Sequence, residues 1–90
     1  MKDLIVGLTK PTIHMNGTSR KDLAACLEDA SRALTVAIDK IQTTAPNGRD
    51  YYPQGEGANG RALVEHLGRM KMIIEVKRDI DELWMHVEGA

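Results

Sequence analysis

The sequence predicts an all-α fold: a long antiparallel two-helix hairpin with an N-terminal extended arm, associating with copies of itself into a helical bundle oligomer. Three observations predict it. Two long stretches carry apolar residues at intervals of three and four, the period of one helix face. Aromatic residues make up only 3% of the chain and Phe is absent, so the core must come from Leu, Ile, Val, Ala and five Met, which pack helices better than sandwiches. The apolar face of the second stretch is also wider than one partner helix covers.

The 90 residues make one domain, 1–90, whose short chain leaves little stability in reserve. Residues 1–17 form the arm, with Leu4-Ile5-Val6 and Thr12-Ile13-His14-Met15 as short extended or strand-like clusters. Residues 18–44 form the first helix. Thr18 and Ser19 offer N-cap hydroxyls, and Ser19 to Asp22 has the spacing of a capping-box variant. Leu23, Cys26/Leu27, Ala30, Leu34, Ala37/Ile38 and Ile41 line one stripe, and Pro46 ends the helical geometry.

Residues 45–58 are the crossover, far longer than the 2–8 residues such a turn needs. The second helix spans 59–87. Leu63, Leu67, Met70 and Ile74 make one series; Ile73, Val76, Ile80, Leu83 and Val87 make another. Gly68 inside it marks either a close helix approach or a tolerated defect. Two such hairpins, or more, would bury what one leaves exposed. The alternative is an arm that folds back over the exposed face.

A formal net charge of −1, with no run of five like charges, argues against bulk nucleic-acid binding. Cys26 is the only cysteine, which excludes an intramolecular disulfide, suits a reducing cytoplasm, and points to a packing role for the thiol. No apolar run reaches the ~20 residues of a membrane span. The opening MKDLIVGL is too short for a secretory signal, so a cytoplasmic location is expected.

Phosphate-loop, zinc-protease, paired-cysteine and nucleophile-elbow patterns are all missing, and His14, His66 and His86 have no metal-ligand spacing. No enzyme, cofactor or metal is therefore expected. Asp79, Asp81 and Glu82 read as a solvated face.

Polar chemistry concentrates in two places. His14, Asn16, Gly17, Thr18, Ser19 and Arg20 lead into the first helix, where free backbone N–H groups favour an anion. Arg49, Asp50, Tyr51 and Tyr52 lie in the crossover: the guanidinium suits phosphate or carboxylate, and a Tyr face can stack on a base. The competing reading makes the first cluster a plain N-cap, with the tyrosines stapling the loop and Arg49 pairing Asp50. The clusters stand at opposite ends of the first helix. A shared pocket therefore needs the crossover of one chain beside the arm of another, or an arm that folds back along the bundle.

Two segments, TIHMNGTS (12–19) and APNGRDYYPQG (45–55), resemble small uncharacterised phage and prophage proteins with TIHLNGTS-like and PHGRDYYPQG-like motifs. The Glu65-His66 pair resembles one early in the second helix of those proteins, and the likeness covers about residues 12–87, departing at Met15 and Asn47. The resemblance implies a phage origin and a helical hairpin, adds His66 to the candidate ligand-binding residues, and carries no activity. Compact phage oligomers that sequester nucleotide immune signals share this design by analogy.

The expected function is thus a non-enzymatic oligomeric protein that binds and sequesters a small phosphorylated, nucleotide-like ligand between chains, with a host immune signal as candidate. The alternative is a module engaging a host or phage protein through the loop and arm. A third reading, an enzyme with His14 or His66 as acid–base, lacks a nucleophile.

Overall fold

A computed structural model describes residues 7–89, and every regular element among them is helical. These are α1 (Arg20–Gln42), α2 (Gly48–Tyr51), a 3₁₀ turn (Tyr52–Gln54) and α3 (Ala58–Gly89). The Leu4-Ile5-Val6 cluster lies outside the described residues. Thr12–Met15 forms no strand.

The helix bounds follow from capping. Ser19 is extended at φ −64°, ψ 153°, and its Oγ accepts the Asp22 N–H at 3.1 Å, so α1 starts at Arg20 rather than Thr18. At the other end, Thr43 and Thr44 turn their hydroxyls back to donate to the Lys40 and Ile41 carbonyls, each at 2.6 Å. The same carbonyls accept the Thr43 and Thr44 N–H groups at 3.1 and 2.9 Å, a tightened last turn at which the helix stops after Gln42.

The long crossover is a small element in its own right. Asn47 caps α2 by accepting the Arg49 N–H at 3.0 Å, and Pro53 sits in the 3₁₀ turn that follows. Gly55 (φ 101°) and Gly57 (φ 86°) then take left-handed backbone that only glycine adopts freely, turning the chain into α3. A Cβ on Gly48 would stand 3.8 Å from the Asn59 side chain, so α2 rests on the first turn of α3.

α1 and α3 pack antiparallel. Ser31 of α1 donates to Asp81 and accepts from Lys77 Nζ at 3.2 Å, while Lys77 Nζ also reaches Asp81 Oδ2 at 2.7 Å. This pins the register and corrects the solvated-face expectation for Asp81: its carboxylate is half-buried between the helices. The hydrogen bond from Lys77, then that from Ser31, holds the Asp81 carboxyl below its ordinary range, against the opposing pull of partial burial. Glu82 is no free surface charge either, since Lys10 pairs with it at 3.4 Å.

The core is sparse. Buried apolar residues among the described ones are Ala24, Ala58, Ala62, Met70 and Val87, joined by the polar Ser31 and His66. Val36, Leu63, Val64, Leu67, Met72, Val76 and Met85 are all exposed. Cys26, expected to pack, is exposed as well: α3 meets the α1 line through Ala24 and Ser31, and Cys26 lies off that line. A Cβ on Gly68 would meet nothing within 4 Å, so no close helix approach within the chain explains it.

The radius of gyration is 18.3 Å, against about 12 Å for a compact chain of this length. The extents are 61 × 29 × 17 Å, so the molecule is an elongated helical hairpin with little interior.

Candidate functional site

The N-terminal cluster is an exposed turn. The Gly17 N–H donates to the His14 carbonyl at 3.1 Å, and the His14 ring folds over Gly17, where a Cβ would stand 2.9 Å from Nε2. The close approach that Gly17 permits is therefore taken up by His14. Asn16, Thr18 and Arg20 are exposed, and Ser19 is committed to the α1 cap.

The arm holds to the far end of α3. The His86 Nε2 lies 2.8 Å from the Pro11 carbonyl oxygen, next to the Lys10–Glu82 pair. Glu82 and His86 are exposed positions one turn apart, on the side of α3 away from the inward-facing Ile80, Leu83 and Val87. Residues 7–17, the described part of the arm, do not run back toward the crossover.

At the crossover, Arg49 is exposed and its Nε reaches Asn47 Oδ1 at 3.4 Å. Neither the Arg49 guanidinium nor the Asp50 carboxylate joins an ion pair among the described residues, so the two do not neutralise each other. The tyrosines divide the roles proposed for them: Tyr51 is half-buried, and Tyr52 is 75% exposed with its ring free.

His66 joins neither cluster. It is 4% exposed on the buried line Ala58, Ala62, His66, Met70, and its Nδ1 has no hydrogen-bond partner among the described residues. The sequence stripe runs through Leu63 and Leu67, which are exposed, so the burial of His66 one line over was not legible.

The structure therefore does not bring the eleven candidates together in one chain. The α1 helix of 23 residues separates Arg20 from the crossover by about 34 Å. A shallow depression at the start of α3, lined by Gly57, Gly60, Arg61, Val64 and Glu65, holds none of them. Sequence reasoning missed the Lys10–Glu82 pair beside His86 and, in the helix interface, the Ser31–Lys77–Asp81 cluster. Its only sequence trace is a serine in line with Ala24 and Ile38.

Among the described residues no group of three or more His, Cys, Asp or Glu could hold a metal ion, and no helix is long and apolar enough to cross a membrane. No protein-family model, curated protein or solved structure matches the chain.

Proposed function

We propose that this chain is a non-enzymatic, self-associating binding protein that holds a small phosphorylated, nucleotide-like ligand in pockets between copies. Arg49 supplies a bidentate contact to phosphate, and the exposed Tyr52 ring stacks on a planar base. From another copy, Asn16, Thr18 and Arg20 supply hydrogen-bond donors and a second positive charge. A phage origin and a host immune signal as cargo belong to this reading through the resemblance of the two motifs.

One observation supports it: the polar clusters sit at opposite ends of α1 in an elongated chain with a sparse core, and antiparallel association of two copies would bring them together. Titrating cyclic nucleotides and ADP-ribose derivatives into the protein, read by calorimetry and melting shift, tests the ligand. Binding that Arg49→Ala abolishes without changing oligomer mass is the expected result. No heat with any of these compounds overturns the ligand class.

A second reading has its own support. Met15 (96% exposed) and Tyr52 (75% exposed) present apolar surface at the two segment tips, as a protein–protein module would. If both remain solvent-exposed in the assembled oligomer and no nucleotide binds, this reading takes its place.

A further inference from the structure

The stripe on α1 is not the line that α3 buries. Leu23, Leu27, Ala30, Leu34, Ala37 and Ile41 follow a 4-3-4-3-4 spacing, a coiled-coil seam, yet all six are only half-buried. The fully buried α1 residues are Ala24 and Ser31, one position over. So α3 covers one edge of the seam and leaves the rest open. Among the described residues of the arm, the hydrogen bond at Pro11 and the ion pair at Lys10 go to His86 and Glu82 of α3, not to the seam.

The seam is complementary to itself. Turned end for end about the level of Arg32, it sets Leu23 against Ile41, Leu27 against Ala37 and Ala30 against Leu34. The two inner pairs then set a leucine against an alanine, as interdigitating layers require, and Leu23 with Ile41 closes each end of the seam. The surface area asks for such a partner. The chain exposes 7018 Å², against about 5,200 Å² for a compact protein of its mass. The excess of roughly 1,800 Å² is within the range each subunit buries in an obligate homodimer.

We infer that a second copy docks on this seam, α1 against α1, antiparallel, with the two-fold axis level with Arg32. This rests on the cross-chain reading above and specifies its geometry. In this register Arg20 of one copy lies level with the end of α1 in the other. The Asn16–Arg20 turn then meets the start of the other crossover. Each dimer so assembled holds two composite sites, neither present in one chain.

Single nitroxide labels at exposed Ala25, Arg32 and Asp39, in a Cys26→Ala background, test the arrangement without touching the seam. Dipolar spectroscopy should give the shortest interchain distance at 32. Displacement along the axis should grow by about 3 Å for each residue away from 32, to about 21 Å at both 25 and 39. Leu34→Glu should return the protein to monomer mass, while Leu67→Glu on α3 should leave the dimer intact.

Equal distances at the three positions would mean parallel helices, and a minimum elsewhere would mean another register or face; either overturns the seam pairing but leaves a cross-chain site possible. A minimum at 32 with no nucleotide binding would uphold the pairing and overturn only the ligand reading. A monomer overturns both.

Discussion

Removing the Ser31 hydroxyl probes what ties the two long helices together. Ser31 is 5% exposed, and it links Asp81 and Lys77 across the helix interface. Those two side chains keep 34% and 27% of their surface, so in Ser31→Ala they stay paired and reachable by water, and no charge is stranded. The loss is therefore that of a hydrogen bond, about 1 kcal/mol. Asp81→Asn should cost about as much. It removes a Lys77 pair whose Lys-before-Asp order is the weaker one along a helix, worth only a few tenths of a kcal/mol on a surface, and it weakens the acceptor for Ser31. Because Asp81→Asn weakens the bond that Ser31→Ala removes, the double variant should show coupling of about 0.5–1 kcal/mol. Denaturant titration at fixed protein concentration measures it, with each single variant melting some 4–8 °C lower. Coupling below about 0.3 kcal/mol would refute a register set by this cluster.

Acid should loosen the same contact. The Asp81 carboxyl titrates lower in the folded than in the unfolded chain, where the value is near 3.9. Its contribution is complete above that value and fades as pH falls through the folded one, so the stability gap between wild type and Asp81→Asn, followed by denaturant midpoint, should narrow below about pH 4. Two glycines should respond in opposite directions. Gly68→Ala, with open space around its Cβ in a helix interior, should stabilise by about 1 kcal/mol. Gly55→Ala, at φ 101° and ψ −179°, should destabilise by about 1–3 kcal/mol, and thermal melts of the pair check both signs. Ser19→Ala deletes the α1 cap and should cost about 1 kcal/mol in the same assay, with Ser19→Asp restoring it.

The helices were legible because period and caps agree. Leu23 through Ile41 marks one helix, Ser19 and Pro46 bracket it, and the apolar series from Leu63 to Val87 marks the other. What the periodicity did not reveal is which edge of a stripe the partner helix takes. The buried line on α1 runs through Ala24 and Ser31, chosen by a hydrogen bond to Asp81 fifty residues away that local pattern cannot encode. Cys26 fell outside the core for the same reason. The crossover read as a loop because α2 is four residues long and leans on α3, a tertiary cause. At the candidate site, the sequence singled out Arg49 and the tyrosines, of which Arg49 and Tyr52 are exposed and Tyr51 is half-buried. It could not foresee that the His14 ring would occupy the space beside Gly17.

Subunit complementation tests the cross-chain site most directly. Arg20→Ala and Arg49→Ala chains, each alone, should not bind the nucleotide that gives the wild-type protein its largest calorimetric heat. Refolded together in equal amounts, half the dimers pair one of each. Each mixed dimer then has one site with both arginines and one with neither, so about a quarter of wild-type capacity returns. A mixture as inert as its parents, or either variant binding normally alone, would contradict a pocket built from two chains.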